Sequence, residues 1–316
     1  MFWIYAMGVA NFQIAVTICR MKWVYFVFLS ITLSAVEPIQ EKAYLRFHEE
    51  KNAGALEVAV ISLQQKQTGA KVDLFGAVHI GDKAYYEQLN KEFKKYDSVL
   101  YEMVKPAGLE PAQFSGRPQS SVSMMQTFMQ KQLDLAYQLD EIDYTVKNFV
   151  HADMTIKEFR QQQQARGESM FMLMFKLMRE DMAARAKKGK RPEEITTAEL
   201  LKALLSPKRS VELKYLLARQ FNQMERITAG LNKEKGSVIL TGRNKVALAV
   251  LNKELNAGRK NIAIFYGAAH LPDMEKRMVG KMGFERKKTR WIKAWDLPER
   301  QPLPKGQSSP SIEPKE

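Results

Sequence analysis

The chain has 316 residues, 45% of them apolar and 27% charged, which suffices for a sizeable core in one large domain or two small ones. Its net charge is +14, and residues 236–296 carry much of the excess, with 13 Lys and Arg against 5 Asp and Glu. The single cysteine, Cys19, lies in the apolar N-terminal segment. If that segment is removed, the mature chain has no cysteine, so disulfides, thiol catalysis and cysteine metal sites are excluded.

The first 36 residues predict a signal peptide or a membrane anchor. Residues 1–18 form an almost uncharged apolar run. Met21 and a basic residue then precede a short apolar run at 23–33 and small residues at 34–35, which are the parts of a cleavable secretory signal. Met21 is therefore the expected natural start, whereas translation of the whole leader would allow an anchor, since about 20 apolar residues span a bilayer. Either way we expect a periplasmic, extracellular or membrane-anchored protein.

The main domain, expected at residues 37–297, begins with an antiparallel sheet. Residues 43–48 and 55–63 are rich in apolar and β-branched residues, and a Gln-Thr-Gly turn at 67–69 precedes a further predicted strand at 72–75. A helix follows, and a short apolar run at 98–101 predicts the next strand.

Residues 119–235 predict a large α-helical insertion, reached through a loop at 105–121 that is rich in Pro and Gly. From 122 to 231 we find helical spacing only. The insertion is rich in methionine, which repacks easily, so its side chains form either an adaptable surface for a membrane or peptide or a loose helical core. These residues are Met124, Met125, Met129, Met170, Met172, Met174, Met178 and Met182.

The last third of the chain predicts a return to the sheet and then a disordered tail. The tail, residues 298–316, is rich in Pro, Ser and Gln. The predicted elements before it are a strand at 236–240, a helix at 245–255, a strand at 261–266, a helix starting near Pro272 and a final strand or hairpin at 283–297.

Two of the predicted strands end in the pattern Gly-x-x-His, as Gly76-Ala-Val-His79 and Gly267-Ala-Ala-His270. A glycine lets the backbone turn tightly, so the third residue after it presents its side chain over the strand's carboxyl end, where open α/β sheets place their chemistry. Neutral imidazole is the commonest metal ligand. Glu102, at the end of the strand at 98–101, would complete a set of two histidines and one carboxylate with positions open for water or substrate.

Three further residues are candidates for the site. Arg243 lies at a turn before a helix, where its guanidinium could hold a carboxylate or a developing oxyanion, or close the turn with an ion pair. Asn244 lies beside it. His151 falls in the insertion and has no counterpart in the repeated pattern. Asp153, two residues later, is expected to serve the helix start at Thr155, which has capping-box spacing with a glutamate three residues on.

The two Gly-x-x-His units resemble the TraB/PrgY/GumN and Tiki group of the EreA/ChaN-like proteins, in which each half of a pseudo-duplicated α/β fold carries this motif. The resemblance covers roughly residues 56–102 and 236–297. It implies a central mixed β-sheet in two pseudo-repeated halves, with the helical insertion between them. It also implies metal-dependent hydrolysis of peptide bonds, with His79, His270 and Glu102 holding a divalent ion such as zinc, manganese or cobalt and with Arg243 beside it.

A second interpretation is a non-enzymatic envelope protein of the same fold that binds and sequesters a peptide or a haem, with Met and His as axial ligands or as an adaptable wall.

The expected partners are a peptide or protein and, for a basic chain with an apolar leader, a membrane. Nucleic acid is not expected, because the chain has a secretion signal and no aromatic-basic RNA-binding motif. The motifs of serine hydrolases, phosphate-loop enzymes and dinucleotide-binding enzymes are missing from the sequence.

Overall fold

A computed structural model describes residues 43–50, 53–109, 132–168, 195–231 and 237–299, without the side chains of 222–231. All of these residues belong to one unit that starts at Ala43. The predictions made for the leader, for the methionines of the insertion and for the tail beyond residue 299 lie outside the described residues.

Nine strands are found in the described part of the chain, and seven of them form one sheet. The strands are β1 (Leu45–Glu50), β2 (Ala53–Gln65), β3 (Lys71–Ala77), β4 (Ile80–Gly81), β5 (Ser98–Tyr101), β6 (Ala136–Tyr137), β7 (Phe149–His151), β8 (Asn261–Gly267) and β9 (Phe284–Leu297). The short strands β4 and β6 pair separately from the main sheet.

The described helices are α1 (Lys83–Phe93), α2 (Gln138–Glu141), α3 (Ile156–Arg166), α4 (Thr197–Leu205), α5 (Arg209–Leu231), α6 (Arg243–Asn256) and α7 (Leu271–Lys281). A short non-α helical turn precedes each of the last two helices. A π-helical turn, Val238–Gly242, leads into α6, and a 3-10 turn, Ala268–His270, leads into α7. None of the described helices combines the length and the apolar content that a membrane crossing requires.

The main sheet is mixed. On one side β2 pairs in antiparallel fashion with β1, β3 and β9. On the other side β3, β8, β5 and β7 lie next to one another in this order, and each pair is parallel. Parallel strands point their carboxyl ends to the same edge, so the residues that follow β3, β8, β5 and β7 meet at one edge of the sheet.

Apolar side chains alternate between the two faces of the parallel strands, and helices cover both faces. In β8, Phe265 packs with Tyr86 and Phe93 of α1. The next residue, Tyr266, packs on the opposite face with α6 and α7. Burial on both faces explains why β8 reads as a continuous apolar run and was predictable from the sequence. The predicted mixed α/β fold with a central mixed sheet is thus confirmed.

Two predicted stretches of secondary structure are wrong. Residues 122–231 are not helical throughout, because β6 and β7 lie within them and β7 joins the main sheet beside β5. The strand predicted at 236–240 is not found in its described part, 237–240, since Val238–Gly242 is a π-helical turn in which the Ser237 hydroxyl accepts a hydrogen bond from the Leu240 N–H. Apolar runs of three or four residues do not distinguish a strand from a helical turn, which explains both errors.

Candidate active site

The two Gly-x-x-His turns leave neighbouring parallel strands. In the register of β3 and β8, Ala77 pairs with Gly267, so the strands end side by side. A side chain at position 76 would be crowded, because a Cβ atom on Gly76 would lie 3.2 Å from the Ala59 carbonyl oxygen. The chain then turns, and His79 and His270 follow at the same edge of the sheet.

The site is centred on Gly267. A Cβ atom at this position would lie 3.3 Å from Glu102 Oε2, 3.7 Å from His270 Cδ2 and 3.9 Å from His79 Nε2. His79 Nε2 and Glu102 Oε2 are therefore at most 7.2 Å apart, the sum of two of these distances. The structure thus brings the three predicted metal ligands together, around a position where the absence of a side chain leaves space.

Glu102, directly after β5, is a buried carboxylate with a partner on each oxygen. Oε2 accepts a hydrogen bond from the Gly267 N–H at 2.6 Å, and Oε1 accepts one from Arg243 Nη2 at 2.6 Å. His270 Nε2 lies 3.5 Å from Oε1. Burial by itself would raise the pKa of Glu102, but attraction by His270 in its charged form and by Arg243 outweighs it and lowers this pKa to about 2. Arg243 and the Gly267 N–H lower it whether or not His270 is charged. Glu102 is therefore negatively charged at neutral pH.

Arg243, the first residue of α6, is held mainly by Asp153. Its Nε lies 3.0 Å from Asp153 Oδ1 and its Nη2 lies 2.5 Å from Oδ2, so the guanidinium grips the carboxylate with two nitrogens. The side chain of Asp153 is fully buried, and that of Arg243 is 12% exposed. The sequence prediction for Asp153 is wrong in this respect, because Thr155 and Glu158 cap α3 by themselves.

The position of Asp153 follows the same rule as that of Glu102. Glu102 directly follows β5, and Asp153 lies two residues beyond β7, the parallel neighbour of β5. A carboxylate just after the end of a parallel strand is the signal that could have identified Asp153 from the sequence. It was missed because β7 itself was not predicted.

His270 is buried and firmly oriented. Its Nδ1 lies 2.6 Å from Asn244 Oδ1, and its ring meets that of Tyr266 edge-on at 5.2 Å between centroids. Burial lowers the pKa of His270, which favours the neutral imidazole. Asn244, a candidate from the sequence, is thus in contact with a predicted ligand.

His79 occupies the exposed side of the site. Its Nδ1 lies 3.1 Å from Gln138 Oε1, and its carbonyl oxygen accepts a hydrogen bond from the Gln138 N–H. Gln138 in turn donates from Nε2 to the Tyr144 hydroxyl at 2.9 Å. Gln138 and Tyr144 were not predicted, because they follow the two-residue strand β6, which leaves no recognisable pattern in the sequence.

His151 lies at the end of β7 and is engaged elsewhere. Its Nε2 is 2.7 Å from the Met103 carbonyl oxygen, and its ring packs against that of Tyr101. A carbonyl oxygen only accepts hydrogen bonds, so Nε2 of His151 carries a proton and cannot bind a metal in this arrangement.

The nitrogen and carboxylate donors are of the kind that a divalent ion binds, but they do not form a complete set of ligands as they stand. Among the described residues, no three His, Cys, Asp or Glu side chains are close enough to hold a metal ion as they stand. His270 Nε2 and Glu102 Oε1, 3.5 Å apart, have about the spacing of two ligands that each lie about 2.1 Å from one ion. His79 completes the set only if its exposed imidazole shifts toward Glu102.

Gly267→Ala is expected to damage the site while the protein stays folded. The added methyl group would meet Glu102 Oε2 at 3.3 Å and sit between the predicted ligands, so the carboxylate must move. We expect weaker binding of a divalent ion, measured by calorimetric titration. The control is Gly280→Ala on α7, where a Cβ atom meets nothing within 4 Å. Equal affinity in the two variants would contradict a site centred on Gly267.

Comparisons with known proteins do not assign this site. No protein-family model, curated protein or solved structure matches the chain. The family resemblance of the two Gly-x-x-His units therefore remains a prediction, and the function has to be argued from the arrangement of the side chains.

Proposed function

We propose that the protein is an exported, metal-dependent hydrolase that acts on peptide bonds. The observation that carries the proposal is the convergence of four residues chosen from the sequence, His79, Glu102, Arg243 and His270, around one glycine. They come from four different elements of the fold, and their positions in the sequence span more than half of the chain. Chance burial of polar residues does not account for such a grouping at the carboxyl edge of a parallel sheet.

The charge of the site favours a cation. Glu102 and Asp153 contribute two negative charges and Arg243 contributes one positive charge, so the cluster is negative when His270 is neutral. His79, His270 and Glu102 would hold the ion, which when bound would lower the pKa of a water molecule and polarise a carbonyl group.

Arg243 would orient the substrate. Its Nε and Nη2 are engaged by carboxylates, whereas Nη1 has no partner among the described residues and is not one of the fully buried unpartnered atoms. Nη1 can therefore donate to a substrate carboxylate or to the oxygen that becomes negative during hydrolysis. Asp153 and Glu102 fix the plane of the guanidinium for this task.

We further propose that the fold consists of two pseudo-repeated halves of the TraB/GumN and Tiki kind, separated by an insertion at about 119–235. The support is that β3 with α1 and β8 with α7 each read as strand, Gly-x-x-His and helix, and that β3 and β8 are parallel neighbours. Since β7 lies inside this range, the proposed insertion would add a strand to the sheet as well as helices.

The test is hydrolysis of a peptide library by the purified full chain, with metal content determined on the same sample. We expect cleavage that a chelator abolishes and that zinc, manganese or cobalt restores. The control variant His48→Ala changes an exposed histidine on β1 that is not a predicted ligand, so it should cleave the library as the wild type does. A haem absorption band without hydrolysis would favour the sequestering protein instead. Chelator-resistant activity, or no activity with any of the three ions, would contradict the proposal.

A further inference from the structure

The side-chain amide of Asn244 has only one orientation that satisfies its neighbours. Its Nδ2 lies 2.9 Å from Asp273 Oδ2 and 3.2 Å from the His270 carbonyl oxygen. Both of these oxygens can only accept hydrogen bonds, so the NH₂ group must face them. Oδ1 of Asn244 must then face His270 Nδ1, which lies 2.6 Å away.

This orientation determines which ring nitrogen of His270 carries the proton. An amide oxygen only accepts, so Nδ1 must be the donor in the 2.6 Å contact. In the neutral ring Nε2 then carries the lone pair, and it faces the carboxylate oxygen Oε1 of Glu102 at 3.5 Å. A cation between these two atoms, either a proton on Nε2 or a metal ion, removes their repulsion in this buried site.

Asn244 is itself held in place. It is fully buried in the first turn of α6, directly after Arg243. Its partner Asp273, in the first turn of α7, accepts a hydrogen bond from Arg277 Nε at 2.8 Å. The orientation of the His270 ring is thus determined by contacts that reach from α7 through α6 to the site.

His79 lacks an equivalent constraint. The NH₂ group of Gln138 faces the hydroxyl group of Tyr144, which can donate or accept a hydrogen bond. The amide of Gln138 can therefore turn over and leave His79 with the proton on either ring nitrogen. The two histidines, although they follow identical motifs, differ in this respect.

We propose that Asn244 is a positioning residue that keeps the ring proton of His270 on Nδ1 and presents its Nε2 lone pair to the cation site, whereas His79 is free to change tautomer. The use of this lone pair to bind a metal ion rests on the proposed function. The tautomer itself does not, because it is a property of the metal-free chain. Asn244 acts through His270 and needs no contact with the substrate.

The test is nitrogen NMR of the histidine rings in the metal-free full chain at neutral pH. We expect Nδ1 of His270 to carry a proton in the wild type. In Asn244→Ala the Nδ1 proton loses its acceptor, so the Nδ1 resonance should shift toward that of a bare nitrogen, while the His79 resonances stay unchanged.

Metal titration supplies a second measurement. Loss of an outer partner of a ligand typically lowers metal affinity about 10- to 100-fold, and we expect Asn244→Ala to fall in this range. A wild-type His270 with a bare Nδ1 would overturn the inference even if Asn244→Ala does not fold. The expected spectrum in a protein that binds no divalent ion would instead overturn the proposed function and leave the tautomer assignment standing.

Discussion

Replacing Arg243 with methionine is expected to lower the free energy of unfolding by about 3–5 kcal/mol, which is typical for removing one partner of a buried ion pair. Arg243 contacts two carboxylates, Asp153, which is fully buried, and Glu102, whose side chain is 9% exposed. Methionine fills a similar volume but leaves both negative charges without their counterion. Urea denaturation, followed by circular dichroism, measures the loss.

Two comparisons distinguish this effect from the loss of any surface arginine. Arg259→Met removes an ion pair with Glu254 in which the arginine side chain is 55% exposed, and pairs at exposed sites typically contribute about 0.2–1 kcal/mol. Adding Asp153→Asn to Arg243→Met removes one of the two stranded charges, so the double variant should be more stable than Arg243→Met alone. Equal losses for Arg243→Met and Arg259→Met would show that the buried cluster is not a structural ion pair.

Most of the site could be predicted because its residues follow elements with strong sequence patterns. β5 and β8 are buried on both faces and therefore read as nearly continuous apolar runs, whereas in β3 the half-buried Asp73 interrupts the apolar residues. Once these strands are located, the residue after each of them can be identified, and the two Gly-x-x-His turns are the clearest case. His79 and His270 follow from β3 and β8, and Glu102 follows from β5.

The unpredicted residues depend on elements that are too short to produce a period. Asp153 lies beyond β7, which has three residues, and Gln138 follows β6, which has two. Their roles also come from contacts between distant parts of the chain: Asp153 meets Arg243, 90 positions away. A single sequence contains no local signal for such a contact, whereas the tertiary structure shows it directly.

The resemblance between the two motifs conceals a difference in burial. The sequence suggested equivalent roles for His79 and His270, because the spacing around them is the same. The structure places His79 at the exposed side, whereas the His270 side chain is 6% exposed. The reason is that the 3-10 turn after β8 leads straight into α7, so His270 is enclosed by helices, while β4 follows His79.

His270→Ala is expected to reduce the affinity for a divalent ion by more than the roughly 100-fold upper limit for the loss of an outer partner. It removes the only histidine nitrogen that already lies at ligand spacing from Glu102. The variant also leaves Asn244 Oδ1 buried without its donor, which should cost about 1–3 kcal/mol of stability. Affinity is therefore measured by titration of the folded fraction.

His79→Ala is expected to weaken binding of the ion less than His270→Ala does, because His79 Nε2 has to move before it can join the other two ligands. Its exposed side chain makes the stability cost small. His151→Ala is the matched control at the same edge of the sheet, since its Nε2 is bound to the Met103 carbonyl oxygen, and metal affinity should not change. If His270→Ala bound the ion as tightly as His151→Ala, the site would have to lie elsewhere, since Glu102 cannot hold an ion alone while it is paired with Arg243.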